Sequence, residues 1–86
     1  MGNLSVLKFD LPSFPLSMTQ PGERVRIVHI SGGRNLHERL VGMGVNTGDV
    51  VEVKHRQEHG AVVICMNGNR LGLGGGMALK IFVEKE

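Results

Sequence analysis

The most glycine-rich part of the chain, RLGLGGGMALKIFV at residues 70–83, raises the question of a phosphate-binding loop. A P-loop follows the pattern GxxxxGK[ST], in which backbone amides, a lysine and a hydroxyl converge on phosphate and magnesium. Here Lys80 lies four residues beyond Gly76 and is followed by Ile81. The dinucleotide pattern GxGxxG fails as well, because Met77 stands where its third glycine belongs. We therefore interpret the stretch as a structural corner, not as a nucleotide site.

The side chains that could act as bases, nucleophiles or metal ligands are scattered along the chain: His29, His37, His55, His59 and Cys65. Catalysis requires a nucleophile beside a base, or paired carboxylates in a cleft, and no spacing here links these residues in that way. We therefore expect no enzymatic activity and no resident cofactor.

The histidines and the cysteine could also bind a metal, since imidazole and thiolate are good ligands for zinc and other divalent ions. His55, His59 and Cys65 fall on or near one predicted hairpin. Strand alternation predicts that His55 shares a face with Val53 and that Cys65 lies on the opposite face of its own strand. We therefore predict no preformed three-ligand site, and at most weak binding of a divalent ion, Fe(II) or Zn, by residues that the sequence does not identify.

Composition narrows the class of protein. The chain has 86 residues, a net charge of +2, no Trp, no Tyr and three Phe. Such a chain forms one domain with a thin core. It lacks the aromatic side chains that line a proline-peptide groove or stack on single-stranded nucleic acid. One cysteine fits a reducing compartment, and neither a signal peptide nor a membrane span is evident. We expect a small soluble cytoplasmic protein without a nucleic-acid partner or membrane insertion.

Hydrophobic patterning predicts five short strands, at residues 24–30, 50–55, 61–66, 69–73 and 80–84. In the first strand Val25 and Ile27 lie on one face and Val28 and Ile30 on the other, which indicates a bulge or a strand covered on both sides.

Asn67-Gly68 is the strongest turn signal, because both residues tolerate the positive φ of a two-residue type I′ hairpin. That turn pairs Ile64 with Leu71 and Val62 with Leu73, and all four apolar side chains fall on one face. Turn chemistry and hydrophobic pattern thus agree on the register.

One helix is predicted, from about Arg34 to Gly42. Leu36, Leu40 and Met43 form an apolar stripe, while the residues between them are polar. Gly44 suits the left-handed position that ends a helix, and Val45 can fold back on Leu40. Five strands and a helix after the first of them predict an all-β fold, a small barrel. Met77, Ala78 and Leu79 are expected to make one helical turn before the last strand.

The N-terminal segment differs from the rest. Residues 1–17 contain two prolines, which prevent a helix, and seven large apolar side chains. We predict an extended arm over 1–17 and a barrel domain over 18–86. The arm is expected to dock on the barrel or to cross to a second copy and form a homodimer.

The ordered set of these features over residues 16–86 resembles the FeoA family. The most telling part is Arg39-Leu40, then Met43-Gly44, then Gly48-Asp49. The C-terminal pattern fits as well: Leu71, Leu73, Ala78, Ile81 and Val83. The family often has charged residues where Gly74 to Gly76 stand here, and residues 1–15 have no counterpart in its core.

The resemblance implies an SH3-like barrel that assists FeoB, the membrane permease of bacterial ferrous-iron uptake, without catalysis. We place partner binding at the end of the helix, on Leu40, Met43, Gly44 and Val45. A second candidate surface is the outward face of Ala61, Val63 and Cys65. The alternative function is a transition-metal-binding regulatory barrel, and an RNA-binding barrel is a third, less favoured one.

Overall fold

The protein forms one antiparallel sheet, seen in a computed structural model that describes residues 12–86. The strands are β1 (Phe14–Pro15), β2 (Arg24–Ile30), β3 (Val50–Arg56), β4 (Val62–Met66), β5 (Asn69–Leu73) and β6 (Ile81–Lys85), and the helices are α1 (Arg34–Gly42) and α2 (Gly75–Ala78). Single 3-10 turns cover Leu16–Met18 and Glu58–Gly60. The strand order is β1-β6-β2-β3-β4-β5. The mostly β fold is confirmed; closure of the sheet into a barrel stays a prediction.

Strand β1 was missed by the prediction of about five strands, and the helix therefore follows the second strand. Phe14 pairs with Val83 and Pro15 with Phe82, so the end of the predicted arm joins the sheet edge, where proline is tolerated. Leu16, just beyond, is fully buried. Residues 1–11 lie outside the described residues, and the division into an arm (1–17) and a domain (18–86) stays a prediction.

The core lies on one face of the sheet and is aliphatic. Its fully buried large side chains come from every long strand, from the helix and from the loops: Leu16, Val25, Ile27, Leu40, Val45, Val51, Val53, Val62, Ile64, Leu73, Ile81 and Val83. Ile30 and Ala78 are buried with them. Since aromatic residues are scarce, this packing depends on many β-branched side chains that suit a pleated surface.

Strand β2 contains the predicted bulge. The register against β6 shifts between Ile27 and His29, so Val28 is the extra residue. Val28 is exposed, whereas Ile30 is buried together with Ile27. The prediction that Ile30 lies on the face opposite to Ile27 is therefore wrong, because the inserted residue returns Ile30 to the core.

The β4–β5 hairpin has the predicted register. Asn67 and Gly68 adopt φ values of 54° and 81°, as a type I′ turn requires. Ile64 pairs with Leu71 and Val62 with Leu73. Val62, Ile64 and Leu73 are buried and Leu71 is partly buried against the core, which confirms the face that the pattern assigned.

The glycine-rich stretch forms a corner, as interpreted from the sequence. It leaves β5, makes the single helical turn α2 and enters β6; the helical turn starts two residues before the predicted Met77. At Gly75 the backbone passes against the 3-10 turn between β3 and β4, and a Cβ there would overlap the carbonyl oxygen of His59. Glycine is therefore required at Gly75 by close approach of two backbones.

Candidate partner-binding site

Helix α1 has the predicted bounds, Arg34–Gly42. Leu40 is fully buried, and Leu36 and Met43 pack against the core while remaining partly exposed. The intervening residues His37, Glu38 and Arg39 are exposed. The apolar stripe thus orients the helix on the sheet as expected for an amphipathic surface helix.

A Schellman motif ends the helix. Gly44 adopts φ +85°, and its amide donates to the carbonyl of Val41 over 2.9 Å. The amide of Val45 donates to the carbonyl of Leu40 over 2.8 Å, which closes the motif. Val45 is fully buried. The chain therefore turns sharply back into the core directly after the helix.

The four residues predicted to bind a partner are brought together at this turn, but they differ in exposure. Leu40 and Val45 are fully buried, so they pack in the core beneath the turn. Met43 is partly exposed and Gly44 is exposed, so these two offer contact surface. Their role in partner binding stays a prediction.

Sequence reasoning missed Val41, a residue that is 54% exposed in the last turn of α1. An apolar residue on the polar side of an amphipathic helix is the signal that would have indicated it. At about 100° per residue, Val41 and Met43 project to opposite sides of the helix. A partner that contacts both must therefore cover the end of the helix, over the exposed Gly44. We call Val41, Met43 and Gly44 the helix exit.

The second candidate surface is on β4. Ala61, Val63 and Cys65 are partly exposed and alternate with buried residues of the same stretch, so they face outward as predicted. In the sheet, β6, β2 and β3 separate this strand from β1. Phe14 and Pro15 pair with β6, at the edge of the sheet away from β4. Their pairing therefore does not indicate what covers Val63.

The predicted placement of His55 is wrong. The β3–β4 register shifts between Val53 and His55, so Val53 pairs with Ile64 but His55 pairs with Val63. This bulge turns His55 outward, onto the face that also carries Cys65. Within residues 12–86, however, no group of three or more His, Cys, Asp or Glu side chains is placed to hold a metal ion. Weak divalent-ion binding stays a prediction.

Ion pairs lie mainly near the chain's C-terminal end. Arg26 Nη2 contacts both carboxylate oxygens of Glu86, at 3.0 and 3.1 Å, and Lys85 Nζ lies 3.5 Å from Glu23. Each pair is solvent-exposed on at least one side, so its contribution to stability is about 0–1 kcal/mol. In the part of the chain that the structure covers, no helix is long and apolar enough to cross a bilayer.

Comparison with known proteins agrees with this geometry. The family model for the FeoA domain matches residues 14–85. A protein of Methanocaldococcus jannaschii named as Fe(2+) transport protein A is 38% identical over 71 residues, which cover 83% of this chain and 85% of the relative.

Solved structures show the same fold. A crystal structure of an iron uptake regulatory protein, FeoA, has a TM-score of 0.80 at 33% identity and covers 87% of this chain and 100% of that one. Iron(II) transport protein A from Clostridium thermocellum has a TM-score of 0.76 at 32% identity, over 84% of this chain and 45% of that one. A manganese-dependent transcriptional repressor reaches 0.80 at 18% identity, over 87% of this chain and 42% of its own, which shows a shared fold alone.

These matches over most of the chain define its class, a small non-catalytic accessory domain. The chain belongs to the FeoA family. The resemblance stated from the sequence is confirmed, and family membership also confirms the expectation that the protein is not an enzyme. The chain is a homologue of ferrous iron transport protein A.

Proposed function

We propose that this protein is a cytoplasmic, non-enzymatic interaction module for a FeoB-like permease and that it binds the permease on its cytoplasmic side. Membership of the FeoA family, over residues 14–85, is the observation that carries the proposal. The helix exit supports it at the level of residues, since Val41 is an exposed apolar residue and Met43 is partly exposed. Isolated apolar side chains are common on surfaces, but two of them around an exposed glycine suit the end-on contact described above.

The test is the affinity of the full chain for the soluble domain of the permease, measured by isothermal titration. We expect Val41→Glu and Met43→Gln each to weaken binding about tenfold, which corresponds to about 1.4 kcal/mol. Met18→Gln is the matched control, because Met18 is 62% exposed and lies in the 3-10 turn after β1. Absence of any complex would contradict the proposal, whereas equal losses for Met43→Gln and Met18→Gln would contradict the placement of the site.

The same protein titrated with Fe(II) or Zn(II) under reducing conditions separates this function from a transition-metal-binding regulatory barrel. We expect weak binding. Tight one-to-one binding, which requires a built set of ligands, would favour the regulator instead.

A further inference from the structure

A groove of 490 Å³ lies between the side of α1 that carries Leu36 and Arg39 and the glycine corner that precedes β6. We call it the corner groove and define it by the lining residues Leu36, Arg39, Gly76, Met77, Leu79 and Lys80. It is separate from the helix exit, none of whose residues line it.

The floor of the corner groove is apolar. Leu36 and Met77 are partly buried and pack against the core beneath. Leu79 is 56% exposed, one of the most exposed large apolar side chains among the described residues. Gly74 and Gly76 also line the groove, and a Cβ at either position would meet no atom within 4 Å. Apolar surface that is concave and accessible favours a bound side chain over water.

The rim of the corner groove is basic. The stem of Lys80 lies along the wall, where a Cβ on Gly32 would come within 2.9 Å of the lysine Cδ. The lysine Nζ lies 3.7 Å from the same Cβ position, and Lys80 as a whole is exposed, so its charge is accessible beside the groove. None of the ion pairs within residues 12–86 includes Arg39 or Lys80, and no acidic residue is among those that line the groove.

We propose that the corner groove binds a segment of a partner protein in which a large apolar side chain lies next to carboxylates. The apolar side chain would lie on Leu36, Met77 and Leu79. The carboxylates would pair with Arg39 and Lys80, which complement them in charge and are positioned on the rim. A phosphate backbone would match the cations but not the apolar floor, and the chain has no Trp or Tyr for base stacking.

The proposal is tested by amide chemical-shift mapping of the full chain with three blocked tetrapeptides: Asp-Leu-Phe-Asp, Lys-Leu-Phe-Lys and Asp-Ser-Ser-Asp. We expect the first to shift the amides of Leu36, Arg39, Met77 and Lys80, and to bind at least tenfold more tightly than the other two. Equal binding of the lysine peptide would overturn the charge assignment, and equal binding of the serine peptide would overturn the apolar one.

Filling the groove provides the matched variants. Gly76→Leu adds a side chain at a residue that lines the groove, whereas Gly42→Leu adds one on α1 at a residue that does not line it. Neither glycine has a left-handed φ or an atom within 4 Å of its Cβ position. We expect Gly76→Leu to reduce binding of Asp-Leu-Phe-Asp at least tenfold and Gly42→Leu to leave it unchanged. Equal effects of the two variants would overturn the proposal.

Two other occupants would also be revealed by the same spectra. Shifts of the groove amides on adding oligo(dT), without shifts on adding any peptide, would indicate a nucleic acid and overturn the proposal. Shifts of the groove amides on deleting residues 1–11, without shifts on adding any peptide to the full chain, would indicate that the chain's own N-terminal segment occupies the groove and would overturn the proposal. The measurement uses no permease, so its failure is distinguishable from failure of the proposed function.

Discussion

Leu40 is the one residue of helix α1 that is fully buried in the core. Its side chain is fully buried and its carbonyl accepts the amide of Val45. In a chain of this size the loss of one such contact is a large part of the total stability.

We predict that Leu40→Gln lowers the free energy of unfolding by about 1–3 kcal/mol, because a buried amide is left without a hydrogen-bonding partner. Leu40→Met, which keeps the volume apolar, is the control and should cost less than about 1.5 kcal/mol. Urea denaturation measures both. If the glutamine variant unfolds like the wild type and also binds the permease normally, the orientation proposed for α1 is wrong.

Gly75 and Gly76 are neighbours with opposite surroundings. A Cβ at Gly75 would overlap the backbone of the β3–β4 turn, while a Cβ at Gly76 would meet open space. We predict that Gly75→Ala destabilises the protein by about 1–3 kcal/mol, since backbone must move to admit the methyl group. Gly76→Ala should be neutral or stabilising by about 0.4–1 kcal/mol, because alanine restricts the unfolded chain. Thermal unfolding compares the two; equal melting temperatures would contradict the close approach.

His55 shows why single side chains are harder to place than strands. The alternation of VVEVKH is regular, so it indicates that His55 lies inward with Val53. The bulge at this point inserts one residue relative to β4 and reverses every side chain beyond it. Nothing local in the sequence marks the insertion, because it depends on the path of the neighbouring strand.

Among the secondary-structure elements, those with local signals were the ones that could be predicted. Helix α1 has an apolar stripe and a terminal glycine, and the β4–β5 hairpin has Asn67-Gly68 together with matched apolar faces. Strand β1 has neither. It is two residues long, includes a proline and exists only because β6, far along the chain, provides its partner.

Gly44 ends helix α1 in a left-handed conformation, which leads to a further prediction. A Cβ there would meet no atom within 4 Å, so the cost of a substitution comes from the backbone at φ +85° alone. We predict that Gly44→Ala destabilises the protein by about 1–2 kcal/mol. Gly42→Ala, in helical conformation two residues earlier, should stabilise by about 0.5–1 kcal/mol. Circular dichroism melting curves that shift in the same direction for both variants would contradict the Schellman motif.

The order of the strands in the sheet cannot be predicted from local sequence patterns. Strand β6, the last in the chain, lies between β1 and β2, so its pairing depends on contacts between residues distant in sequence. The sequence does predict the positions of the long strands and the antiparallel hairpin at Asn67-Gly68. It does not predict the order, because any strand with one apolar face satisfies the same burial requirement. The same holds for the candidate surfaces. Turn chemistry in the sequence predicted the end of the helix, whereas the corner groove is evident only in the structure.

Assembly is the prediction that concerns more than one chain. The segment before Pro12 holds several large apolar side chains, and Val63 and Cys65 offer a partly exposed apolar face on β4. The arm is predicted either to dock on its own barrel or to cross to a second copy and form a homodimer, since burial of each large apolar side chain contributes about 1.5–3 kcal/mol. Light scattering and thermal unfolding of the full chain and of a variant lacking residues 1–15 test this. A fall in mass from dimer to monomer indicates exchange, a monomer that loses stability indicates docking in place, and unchanged mass and melting temperature would contradict both.

The antiparallel pairing of β1 with β6 determines how the domain would respond to mechanical load. Pro12 and Lys85 border the same shallow depression, so both described ends of the chain lie at one end of the sheet. Tension applied between these two ends would separate β1 from β6 in unzipping geometry. The residue pairs would break one after the other, instead of sharing the load as they do in shear geometry. Single-molecule pulling should therefore record an early, low-force extension as β1 peels away, before the remaining sheet ruptures.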